Sequence, residues 1–242
     1  LKVLEENEII PSVVAGHSLG EYSALVCAGA MSFADAVRTV RKRGQFMQEA
    51  VPVGEGAMAA IIGLDTDKIK EICAETANMT NQCVQAVNFN CPGQIVIAGA
   101  TEAVHKACDR LKEAGAKRAI LLPVSAPFHS TLMQPAADRL KEVLDSVEIV
   151  DAKIPVVANV NAKPETKADE IRSQLVLQAA SPVLWEDSVR RMMNDGVDTF
   201  VEVGPGKVLC GFIKKVDRSY APLNVEDMES LEKSLAYLKE VR

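Results

Sequence analysis

An apolar run at 9–15 leads into Gly16-His17-Ser18-Leu19-Gly20-Glu21, and apolar positions then return at helical spacing over 21–28, before Gly29. The pattern predicts a buried strand, a tight turn and a helix. A second helix is predicted from the Ser32 cap to about residue 50. Phe33, Val37, Val40, Gly44 and Met47 share its apolar face, Arg38 and Lys42 point away, and Arg43 lies on the border. After Pro52 the periods change. Strand 56–64, helix 66–77, strands 83–88 and 94–98, helix 101–114 and strand 118–124 give the order βαββαβ, that of a ferredoxin-like unit. Beyond it we read a helix at 131–146, a strand at 155–160, a polar loop at 163–170 and helices at 171–180 and 185–194. A strand at 199–203, a helix from Lys207 to 216 and a last strand and helix complete the chain.

Strand, Gly-x-Ser-x-Gly and helix together form the nucleophile-elbow pattern. Glycine fits such a turn because its two arms approach too closely for a Cβ. Ser18 is the candidate nucleophile. The Leu19 amide, near a helix N-terminus, is a candidate oxyanion donor, and Glu21 in the first helical turn suits the same dipole. The alternative is an ordinary Gly-rich strand-to-helix turn. In Ala126-Pro127-Phe128-His129-Ser130 a strand ends and a helix follows, so His129 sits at a junction suited to a general base; a structural histidine is the other reading. His17 is next to Ser18 and points elsewhere, and His105 falls mid-helix. On its spacing Arg43 either snorkels past the core or binds an anion.

Composition narrows the class. The chain has 242 residues, 48% of them hydrophobic and 4% aromatic, as in a globular α/β protein. A net charge of −6 argues against a general nucleic-acid role. No apolar run reaches membrane-spanning length, and no signal peptide is visible. The six cysteines form no C-x-x-C pair and have no zinc-ligand spacing, so we expect reduced thiols, no metal and a cytoplasmic protein. The first residue is Leu1 rather than Met, so an N-terminal part is expected to be missing.

Six motifs in order carry a resemblance that covers essentially the whole chain. They are Gly16-His17-Ser18-Leu19-Gly20-Glu21, Arg43-Gly44, Asn88-Phe89-Asn90-Cys91-Pro92-Gly93-Gln94, Ala126-Pro127-Phe128-His129-Ser130, Gln178 before Ser181-Pro182-Val183, and Val201-Glu202-Val203-Gly204-Pro205-Gly206-Lys207. The chain resembles the malonyl-CoA:acyl carrier protein transacylases of bacterial fatty-acid synthesis, which are similar to the acyltransferase domains of polyketide synthases.

The resemblance implies an α/β-hydrolase-like catalytic core, 1–52 with 124–242, and an inserted ferredoxin-like subdomain, 53–123. It implies ping-pong transfer from malonyl-CoA to acyl carrier protein through a malonyl ester on Ser18, with His129 as base and no cofactor. A main-chain carbonyl at Gln178 orients the histidine in place of a triad acid. Arg43 holds the malonyl carboxylate by two hydrogen bonds, which a lysine cannot match. Gln178, Asn90 and Phe128 are carried over as substrate-binding residues, and Lys117 and Arg118 as carrier-protein docking residues. The family's N-terminal Gly-Gln-Gly-x-Gln segment, with one of its two oxyanion amides, is absent here, which predicts an unpaired edge on the elbow strand.

Two other readings use the same residues. A serine esterase would share the elbow but leaves Arg43 and a histidine without an acid partner unexplained. A truncated, non-catalytic remnant that binds the carrier protein would account for the missing segment.

Overall fold

The computed structural model describes residues 1–240. A short helix α1 (Lys2–Glu6) precedes β1 (Val14–Ala15), α2 (Gly20–Cys27) and α3 (Phe33–Glu49). The middle of the chain runs β2 (Gly56–Ile62), α4 (Thr66–Thr80), β3 (Val84–Cys91), β4 (Gln94–Ala100), α5 (Thr101–Glu113) and β5 (Arg118–Leu121). A 3-10 turn (Thr131–Met133) opens α6 (Gln134–Asp145). Next come β6 (Val156–Val157), β7 (Pro164–Glu165), α7 (Ala168–Gln178) and α8 (Trp185–Asn194). β8 (Val201–Val203), α9 (Val208–Val216), β9 (Leu223–Val225) and α10 (Met228–Glu240) follow.

β2 to β5 form one antiparallel sheet in the order β3-β4-β2-β5, the pairing of a ferredoxin-like unit. Alternation along its strands sends Ala59, Ile61, Val84, Ile95 and Ile97 under α4 and α5. The opposite face carries Met58, Val87, Val96 and Ala98, against which Phe128 packs. β1 pairs with β6 in parallel and β6 with β7 antiparallel, so β1 is paired on one side among the described residues. Between α2, α6 and α7 lies an apolar core of Tyr22, Leu25, Leu140, Leu144 and Leu175. The two halves are stitched together where Val183, past α7, exchanges backbone bonds with β3: Val183 N–H to Val87 O at 2.8 Å and Phe89 N–H to Val183 O at 2.9 Å.

Several elements differ from expectation. The strand at 9–15 shrinks to Val14–Ala15, and Ile10 is 73% exposed. Pro11 has no N–H for a ladder, and the Ile9 N–H turns back to Leu4 O at the end of α1, a helix too short for periodicity to announce. The strand expected at 155–160 is just Val156–Val157, and β7 lies inside the polar loop. β3 runs on to Cys91, leaving Pro92-Gly93 as the hairpin turn, with Gly93 at φ 72°. On α3 the buried stripe is Ala36, Thr39, Arg43 and Met47, whereas Phe33 and Val37 are exposed. Arg43 is thus central to the buried face and not on its border.

The Ser32 cap on α3 is as predicted, with Oγ accepting from the Asp35 N–H at 3.0 Å. All six cysteines are free. Cys73, Cys91, Cys108 and Cys210 are buried, and Cys27 and Cys83 partly so. No helix is long and apolar enough to cross a membrane, and no cluster of three or more potential metal ligands occurs among the described residues.

Candidate active site

Ser18 stands between β1 and α2 at φ 51°, a left-handed conformation that non-glycine residues rarely adopt. The turn leaves no room at Gly16, where a Cβ would lie 2.0 Å from Gly20 C and O. Three amides of the turn are folded back: Gly20 N–H to His17 O, Glu21 N–H to Ser18 O and Tyr22 N–H to Leu19 O. Leu19 takes the N-cap position of α2, so its amide stands at the positive end of the helix.

His129, also at positive φ (64°), meets the serine from the loop before α6. Its Nε2 lies 2.7 Å from Ser18 Oγ, and its Nδ1 lies 2.9 Å from Gln178 O. A carbonyl only accepts, so Nδ1 carries the proton and Nε2 offers its lone pair to the Ser18 hydroxyl. Burial, and after it the Arg43 charge, depress the His129 pKa to about 3, so the ring is neutral at physiological pH.

Arg43 reaches the same point from α3. Its guanidinium donates to Ser18 Oγ at 2.9 Å and to Gln178 Oε1 at 2.9 Å. The side chain is buried, its Nε has no partner, and no carboxylate among the described residues lies within ion-pair distance of it. Burial pulls its pKa below the usual arginine value. An isolated buried cation is costly, and an incoming carboxylate relieves that cost.

Ser18, His129, Arg43 and Gln178, which are far apart in sequence, therefore converge. Ser18 makes no hydrogen bond to Asn90, Phe128, Lys117 or Arg118. Asn90 Oδ1 accepts from His17 Nε2 at 2.8 Å, with the His17 ring 5.5 Å from that of Trp185, so Asn90 reaches the elbow one residue short of the nucleophile. Phe128 packs on Met58 and Val87 on one side and against the Met47 and Met133 cluster on the other. Lys117 and Arg118 are exposed at the start of β5.

Sequence reading missed Asn159 altogether and took Glu21 for a helix-dipole residue without foreseeing its burial. Asn159 accepts from the Ser18 N–H at 2.6 Å and donates to Gly16 O at 2.7 Å, spanning both arms of the turn. Glu21 is buried too, and its carboxylate accepts from the Asn159 N–H and from Gln178 Nε2, both at 3.0 Å. The one sequence signal for Asn159 is a polar residue inside the apolar run expected as a strand at 155–160.

A family model described as acyl transferase domain matches residues 7–234. The malonyl CoA-acyl carrier protein transacylase of Bacillus subtilis is 53% identical over 240 residues, covering 99% of this chain and 75% of that protein. The protein of the same name from Escherichia coli K12 is 57% identical over 206 residues, covering 85% of this chain and 66% of its own length. Among solved structures, a malonyl-transacylase in complex with a type II PKS acyl-carrier protein is 49% identical with a TM-score of 0.95, covering 98% of this chain and 76% of that one.

Proposed function

Because this chain belongs to the acyl transferase domain family, we propose that it transfers a malonyl group from malonyl-CoA to the phosphopantetheine thiol of acyl carrier protein for fatty-acid synthesis. One observation carries the choice of acyl group. A buried guanidinium without a carboxylate partner lies 2.9 Å from the candidate nucleophile. Malonyl brings the missing carboxylate; acetyl leaves the charge unpaired.

The geometry supports the following mechanism. Ser18 Oγ gives its proton to His129 Nε2 and attacks the thioester carbonyl. The oxyanion forms at the Leu19 N–H, in the field of α2. The C–S bond breaks, the CoA sulfur takes the proton from His129, and a malonyl ester stays on Ser18. The carrier thiol then gives its proton to His129 and attacks the ester. Ser18 Oγ leaves and recovers the proton, and a new thioester results. Throughout, Gln178 O holds the imidazole with Nε2 toward the reacting atoms. The exchange of one thioester for another needs no cofactor.

The division into a core, 1–52 and 124–242, and an insert, 53–123, belongs to the same proposal. So do the roles of Asn90 and Phe128 in lining the acyl site, docking of an acidic carrier on Lys117 and Arg118, and a cytoplasmic setting.

The test is intact mass after brief exposure to malonyl-CoA, with Ser18→Ala alongside. A malonyl adduct on the parent alone supports the proposal. Hydrolysis of simple esters at Ser18 without a stable malonyl adduct would replace it with the esterase reading.

A further inference from the structure

Glu21 presents one carboxylate oxygen to two donors that belong to different arms of the site. The first is the backbone of Asn159, whose side chain clamps Ser18 N–H and Gly16 O. The second is Gln178 Nε2, which also donates to Ser18 O at 2.8 Å. An amide group carries its donors on one side and its acceptor on the other. An acceptor at Glu21 Oε2 therefore obliges Gln178 to turn its NH2 inward and its Oε1 toward Arg43. We infer that Glu21 is a positioning residue. By holding Asn159 and Gln178 on a single acceptor, it sets together the Ser18 turn, the Gln178 carbonyl behind His129 and the orientation of Arg43.

What matters is the place of the acceptor, not its charge. Gln at this position offers the same oxygen to the same two donors. Asp keeps the charge but withdraws the oxygen by one methylene. Leu removes it and leaves two buried N–H donors unpaired. The inference rests on the proposed malonyl transfer for its specificity readout, so a second readout is independent of malonyl-CoA.

The experiment compares Glu21→Gln, Glu21→Asp and Glu21→Leu with the parent. One measurement is the rate of Ser18 labelling by a small fluorophosphonate, and the other is the ratio of Ser18 acylation by malonyl-CoA to that by acetyl-CoA. Misplacement by an ångström costs roughly tenfold to a hundredfold in rate. Glu21→Leu and Glu21→Asp should lose on that scale in labelling and in the ratio, and Glu21→Gln should stay close to the parent. A merely structural role would lower melting temperatures and leave the ratio unmoved. Should Glu21→Leu fail to fold, the Asp–Gln pair decides alone. Parental behaviour of Glu21→Asp beside a damaged Glu21→Gln would overturn the inference and make Glu21 a counter-charge. If the labelling pattern holds while the parent accepts no malonyl group, the proposed function fails and the positioning role stands.

Discussion

In the proposed transfer, Arg43 is the residue on which substrate choice should turn. Arg43→Ala should lower kcat/KM for malonyl-CoA by roughly two to three orders of magnitude, the scale of losing one half of a buried charge pair. Acetyl-CoA should become the better relative substrate, and competition between the two thioesters reads this directly. Arg43→Lys should behave much like the alanine variant, since an ammonium cannot present the paired donors of a guanidinium. For His129 the expected outcome concerns pH. With its pKa held near 3 by burial, the base form is already complete well below neutrality. Single-turnover acylation should therefore show no histidine limb between pH 5 and 8, whereas an imidazole titrating near 6.5 would halve the rate there. Both residues were legible in the sequence as candidates. The neutral state of His129 was not, because it arises from what surrounds the ring after folding.

At the scale of the element, the elbow is a matter of space. Gly16→Ala would drive a methyl group into the Gly20 carbonyl, and should cost more than about 2 kcal/mol with loss of Ser18 acylation, read by denaturant melts and labelling. Gly44 is the contrasting case. It is exposed on α3, and a Cβ there meets nothing within 4 Å. Gly44→Ala should raise stability by about 0.5–1 kcal/mol through helix propensity alone. Sequence reading served well where elements are long and bounded by caps and glycines, as for α3, α5 and α8. It overran at β1 and β6 and missed β7, where two residues of ladder leave no period to count and the pairing is decided by distant segments. It also misjudged the buried stripe of α3, because a hydropathy pattern cannot rank Arg43 above Phe33 for the interior.

For the whole molecule, two buried groups set opposing pH dependences. Burial raises the Glu21 pKa from 4.5 to about 7. Below pH 4.5 both folded and unfolded chains hold that proton. As the pH rises the unfolded chain loses it first, so stability falls through this window and levels above 7. His129 acts the other way. The unfolded chain takes up a proton below about 6.5 that the native ring refuses until about 3, so stability falls as the medium is acidified. Glu21→Gln removes the first effect. Its urea midpoint should exceed the parent's by most above pH 7, up to about 3 kcal/mol in stability, and should converge on it below pH 4.5. The sequence disclosed the four converging residues through spacing and resemblance. Asn159 and the burial of Glu21 were hidden, because a polar residue near a strand end or in a first helical turn reads as surface until long-range pairing encloses it.

The site's bonds also span the chain in one direction. Ser18 is joined to His129 across 111 residues and to the Gln178 side chain across 160. A chain emerging from the ribosome thus carries Ser18, the proposed nucleophile, early and without its partners. His129 arrives later, and the Gln178 carbonyl that meets its Nδ1 later still. Synthesis itself would delay the proposed chemistry, because Ser18 meets its partners only once most of the fold exists.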